Sequence, residues 1–117
     1  AWAASGIVDA LMPMIYPAQY EKCPDDSFWT QERWQTLATD FQQHRNGRYI
    51  VTGIGGGYCT FDEIAWRIQQ GRALGTAGHA IFSYSLINDN IYWDWNAFTA
   101  PGGPHEKPAL VPTLPWR

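Results

Sequence analysis

The stretch Tyr49-Ile50-Val51-Thr52-Gly53-Ile54-Gly55-Gly56-Gly57-Tyr58-Cys59-Thr60-Phe61-Asp62-Glu63-Ile64 decides the fold. Its first six residues are β-branched or aromatic apart from Gly53. Gly47 precedes them and a glycine run follows, so they predict a strand. Thr60-Phe61-Asp62-Glu63 has the pattern of a capping box, in which the Thr hydroxyl and the Glu carboxylate each accept from an otherwise orphaned backbone N–H. Ile64, Ala65, Ile68 and Arg72 continue a helical period to a stop at Gly75. The next apolar run, Gly78-His79-Ala80-Ile81-Phe82-Ser83-Tyr84-Ser85, predicts a second strand.

Working upstream, Trp34, Leu37, Ala38 and Phe41 fall at i, i+3, i+4 and i+7, one stripe of an amphipathic helix with Gly47 as its stop. Before it, Ile7-Val8-Asp9-Ala10-Leu11-Met12-Pro13-Met14-Ile15-Tyr16 is nearly continuous in apolar character, as strands buried on both faces are. Pro13 opposes that reading, because proline gives no N–H to a ladder. The order strand, helix, strand, helix, strand implies an α/β fold with parallel pairing. Three such strands with two helices cover only one face of a sheet, whereas parallel sheets occur with both faces protected. Either these strands belong to a larger closed barrel with its other strands upstream, or they form a small three-layer domain completed by a partner. After Ser85 no strand signal remains, and residues 101–117 hold five of the eight prolines. The expected division is therefore βα units over 1–100 and a proline-rich wrapping tail over 101–117.

With 8 basic and 11 acidic side chains in 117 residues, the chain carries a formal charge of −3 and has no Lys/Arg cluster. A nucleic-acid partner is disfavoured, since phosphate neutralisation supplies most of that affinity. No run approaches the roughly 20 apolar residues of a bilayer span, and no signal peptide is visible. The start at Ala1, running directly into apolar sequence, suggests a piece of a longer protein. Seven Trp, six Tyr and five Phe make the chain 15% aromatic, which suits both a dense core and flat platforms for sugar rings.

Four motifs in order, Val8 to Tyr16, Gly53-Ile54-Gly55 with Tyr58, Ile81-Phe82-Ser83-Tyr84, and Pro108-Ala109-Leu110-Val111-Pro112 with Pro115-Trp116, resemble the C-terminal part of the glycosyl-hydrolase-like 10 family. Those proteins are bacterial envelope (β/α)8-barrel enzymes, some acting on peptidoglycan glycan strands. The resemblance implies that the three strands are the last three of a TIM barrel. It also implies an extracytoplasmic location, a glycan substrate and no cofactor. Chemistry in such barrels sits on the loops after the strands.

On that face the acids are Glu21, Asp25, Asp26, Asp89 and Asp94, all in loops. Glycoside hydrolysis needs a pair of carboxyl groups flanking the bond, so the catalytic pair is expected upstream. Asp9, near a strand start, reads as structural, and Asp62 and Glu63 read as helix caps. The candidates for sugar contact are Tyr16, Tyr58 and Tyr84 at or just past strand ends, with Tyr20, Trp93 and Trp95 in loops. The alternative for all six is packing at the top of the barrel. A non-catalytic carbohydrate-binding module would use the same rings.

The run Gly53 to Gly57 does not have the spacing of G-x-G-x-x-G, so a nucleotide site is disfavoured. Close backbone approach and positive φ at a turn account for it instead. His44, His79 and His105 are scattered and show no metal-ligand spacing. His44 reads as a favourable helix-end charge and His79 as a core or boundary residue. In the barrel reading Cys23 and Cys59 lie in adjacent loops on one face, where either a disulfide or two free thiols would fit.

Overall fold

A computed structural model of the chain describes residues 2–16 and 29–114. In chain order the elements are α1 (Trp2–Ser5), β1 (Ala10–Leu11), α2 (Gln31–Gln43), β2 (Tyr49–Gly55), α3 (Phe61–Ala73), β3 (Gly78–Phe82), α4 (Tyr84–Asn88) and α5 (Asn96–Thr99). The three strands form one sheet in the order β1-β2-β3, and both pairings are parallel. Ala10 lies opposite Tyr49, and Gly53, Ile54 and Gly55 lie opposite Ala80, Ile81 and Phe82.

β1 is much shorter than the apolar run Ile7 to Tyr16 suggested. The carbonyls of that run nevertheless continue to pair: Tyr49 N donates to Asp9 O at 3.2 Å and Gly53 N donates to Pro13 O at 3.0 Å. Proline lacks the donor but keeps the acceptor, so the segment follows β2 along one side without a full ladder.

Side chains alternate across a strand, so Ile50, Thr52 and Ile54 share one face of β2, and Ile81 and His79 share that face on β3. On this face α2 and α3 pack against β2 and against each other. Trp34 and Ala38 from α2, Ile64 and Ile68 from α3, Ile54, Ile15, Ile87 and Phe98 form one buried cluster. The stripe read from α2 is confirmed at Trp34 and Ala38, which are fully buried, whereas Phe41 sits at the rim. Trp34 also donates its indole N–H to the carbonyl of Gly53 at 3.2 Å, fixing the helix over the middle of β2. Phe82 lies on the opposite face of the sheet and is exposed, as are Met12 and Met14 in the segment after β1.

Two helix ends differ from expectation. The Thr60 side chain makes no cap hydrogen bond; Glu63 N instead donates to the Thr60 carbonyl at 3.3 Å. Glu63 is drawn away by Arg67, whose Nη1 lies 2.6 Å from Oε2, and by Gln31, which donates to Oε1 at 3.1 Å. The side-chain cap is found on α2, where Thr30 Oγ1 accepts from Arg33 N at 3.2 Å. α2 also stops before Gly47: His44 is its C-cap, and Asn46 and Gly47 make the positive-φ turn that follows. Gly75 does take positive φ just beyond α3.

No helix of the described residues is long and apolar enough to cross a membrane.

Candidate functional site

Because the strands are parallel, their C-terminal ends lie along one edge of the sheet, and the sequence places Tyr16, the glycine run and Tyr84 just beyond them. The ring of Tyr16 lies over the middle strand. A methyl group on Gly53 would stand 2.7 Å from Tyr16 Cε1 and 2.5 Å from Pro13 O, so only glycine leaves room for that ring and for the close backbone. Tyr16 stacks on Phe82, with centroids 5.3 Å apart and planes 5° from parallel. Burial raises the Tyr16 phenol above its ordinary pKa, so the hydroxyl is a neutral donor and acceptor at working pH.

Gly56 serves the same edge in another way. Its N–H donates to the Phe82 carbonyl at 2.6 Å, and an added methyl would meet Ile87 at 3.0 Å and the Ser83 carbonyl at 3.3 Å. The glycines with positive φ are Gly6, Gly47, Gly75 and Gly102, so within Gly53 to Gly57 the expectation of positive φ is corrected and close approach is the operating reason. The Phe82–Ser83 peptide bond is cis where the chain leaves β3.

Beyond that bond, Tyr84 is 70% exposed and its ring lies 5.4 Å from that of Trp95, tilted by 31°. Trp95 is 43% exposed and leans on buried Phe98, so one side of the pair is anchored and the other faces solvent. Two flat aromatic faces with a phenol at one tip form a surface on which a pyranose ring can stack while its hydroxyls find polar partners.

The other rings read from the sequence have different work. Tyr58 is buried, with Arg67 Cζ 4.2 Å from its ring centre, and its carbonyl accepts from Trp93 Nε1 at 2.8 Å and Asn90 Nδ2 at 3.2 Å. Trp93 packs on Phe61 and Phe98. Both hold the loop after β3 onto the loop after β2 and leave the platform to Tyr84 and Trp95. Tyr20 lies outside the described residues, as do Glu21, Asp25, Asp26 and Cys23. Cys59 is disulfide-bonded. Phe82 was not singled out in the sequence, although its alternation with Ala80 at the end of β3 was the available signal.

The described acids of this edge make local hydrogen bonds. Asp94 accepts from Asn96 N at 2.8 Å at the start of α5, and Asp89 accepts from Asn88 Nδ2 at 3.3 Å. Among the described residues no group of three His, Cys, Asp or Glu could hold a metal ion. The histidines are less scattered than their positions suggested, since His79 and His105 meet. His44 is the C-cap of α2, with Nδ1 2.9 Å from the Asp40 carbonyl.

Comparison of the chain with protein-family models, with curated proteins and with solved structures finds no match.

Proposed function

We propose that this chain is the C-terminal part of an extracytoplasmic glycoside hydrolase of the (β/α)8-barrel type, supplying part of the glycan cleft, with the catalytic carboxyl pair on βα units upstream. The observation that supports it is the aromatic edge. Tyr16, beyond β1, stacks on Phe82, the last residue of β3, and Tyr84, just past β3, meets Trp95. In a barrel the C-terminal strand ends form the substrate mouth. The open face carrying Phe82, together with exposed Met12 and Met14 after β1, would be the inner wall that further strands cover.

The resemblance to the glycosyl-hydrolase-like 10 family supports the same reading and suggests a cell-envelope glycan, such as the glycan strand of peptidoglycan, cleaved by acid/base chemistry without a cofactor. The chain's contribution is binding: Tyr84 and Trp95 stack on a sugar ring, and Tyr16, stacked on Phe82, offers a neutral hydroxyl. Pairing of Cys59 with Cys23 would fasten the loops of the first two units, and two free thiols on titration of the unreduced, denatured protein would dismiss that pairing.

The test is glycan-strand hydrolysis by the parent protein carrying all its units, with measurement of kcat/KM for wild type, Tyr16→Phe and Tyr84→Phe. Lower kcat/KM in both variants supports the cleft; no hydrolysis by the parent overturns the enzymatic reading. A binding module is the second reading, favoured by the core around Trp34 and Ile54 that closes within the described residues. Calorimetric binding of a glycan oligomer by this chain alone, together with an inert parent, would select it.

A further inference from the structure

His79 and His105 are 26 residues apart in sequence, yet their Nε2 atoms are 2.8 Å apart and their ring centres 4.8 Å. A hydrogen bond between two imidazole nitrogens needs a proton on one and a lone pair on the other. One ring must therefore present Nε2–H and the other a bare Nε2. Two imidazolium rings cannot make this contact, because both nitrogens would carry hydrogens and both rings a positive charge.

The bond joins β3 to the segment 100–107, which follows α5. That segment is otherwise held by a few contacts. His105 N donates to Phe98 O at 2.8 Å and Arg72 Nη2 to Pro104 O, while inside the segment Gly103 N donates to Ala100 O at 2.7 Å. The charged group acting on both rings is Arg72, at the end of α3, and its sign opposes protonation of either. From α5 the pair meets the uncharged ring of Phe98, 6.0 Å from His105. On the segment itself Glu106 turns to accept from Gly102 N at 3.1 Å, and Lys107 is exposed. A cation beside two imidazoles also disfavours a metal between them.

We propose that the His79–His105 pair is a proton-operated latch: it holds the segment 100–107 on β3 while at most one ring is protonated, and double protonation releases it. Burial first, then His105 and Arg72, hold His79 down to about 4, and burial and Arg72 lower His105 as well. A histidine freed into solvent titrates near 6.5. The released segment therefore binds more protons than the docked one. The latch is fully engaged above about pH 6.5 and weakens as pH falls from there toward 4. Its opening reaches further than the tail, because His105 bonds the Phe98 carbonyl and Phe98 supports Trp95.

Hydrogen exchange of the chain between pH 7.5 and 5, corrected for the chemical exchange rate, tests this without reference to any enzymatic activity. Protection of the His105, Gly103 and Glu106 amides should fall about ten-fold over that range, less than a full shift allows because the pair is partly solvated. The Ile54 amide should keep its protection. In His79→Gln and His105→Gln, which keep a polar side chain that does not titrate, the tail's pH dependence should flatten. Protection of the wild-type tail that does not change with pH, a pH dependence in either variant as steep as that of wild type, or simultaneous loss at Ile54 would each overturn the latch.

Discussion

Tyr16 and Phe82 stack with ring centres 5.3 Å apart and planes 5° from parallel, and the absence of a side chain at Gly53 on the middle strand leaves room for the Tyr16 ring. The relationship ties the segment that follows β1 to the last residue of β3. It also sets the level of the aromatic edge, because Tyr84 follows Phe82 by two residues. The glycine is thus a packing residue for the site, and its absent side chain has a measurable role.

Gly53→Ala should destabilise the chain by about 1–3 kcal/mol, the range for forcing extra volume into a packed place. The nearest obstacle is the backbone oxygen of Pro13, which cannot swing aside as the tip of a side chain can. Urea unfolding should show a lower midpoint with an unchanged slope, and tyrosine accessibility should rise as the Tyr16 ring is displaced. A midpoint equal to wild type would mean that the close approach is not maintained in solution.

The two helix starts make opposite predictions for similar changes. Thr30→Ala removes the hydroxyl that accepts from Arg33 N and should cost about 1 kcal/mol. Thr60→Ala removes a side chain that makes no cap bond and should stay within about 0.5 kcal/mol of wild type. Denaturant midpoints of the two variants, measured side by side, check the assignment; a larger loss at Thr60 would restore the capping box.

Much of the fold was legible because each element obeyed a local rule. β2 is bounded by glycines, α2 carries the Trp34–Ala38 stripe, and β3 is a short apolar run, so parallel order followed from alternation. The failures share a cause: a side chain chose a partner set by burial and packing over the one its local motif offered. Glu63 left the helix cap for buried Arg67 and for Gln31, which is 32 residues away. Tyr58, at a position that suggested the substrate edge, turned inward over Arg67. An arginine between Ile64 and Ile68 on a buried helix face was the available warning, since such a charge must find an aromatic face or a carboxylate. The His79–His105 contact had no local signature at all, because it depends on how the tail returns to β3.

At the aromatic edge, exposed and buried rings should separate in their effects. If the chain supplies part of a glycan cleft as proposed, Tyr84→Ala and Trp95→Ala in the parent protein should weaken glycan binding by about 1–3 kcal/mol each, the scale of losing a stacking face, taken from aromatic platforms under nucleobases. Their effect on stability should be small. Trp93→Phe should instead lower stability by about 1–2 kcal/mol, because the Tyr58 carbonyl loses the indole donor. Calorimetric titration and unfolding midpoints on the same three proteins would expose the reverse pattern if Trp93 were the platform.

Arg67 is wholly buried and held by Glu63, the Trp29 carbonyl at 2.9 Å and the face of Tyr58. Removing the carboxylate leaves a guanidinium without its counter-charge. A fully buried pair so broken costs about 3–5 kcal/mol, but Glu63 is 37% exposed and water can partly replace it. Glu63→Gln should therefore cost about 1–3 kcal/mol. Arg67→Met, which removes the charge and keeps the apolar stem, should recover much of that loss when combined with Glu63→Gln. A double-mutant cycle by urea unfolding measures the coupling. Additive losses would mean that Arg67 is held by the Trp29 and Glu63 carbonyls and the face of Tyr58, and that the Glu63 carboxylate left its capping position for no energetic gain.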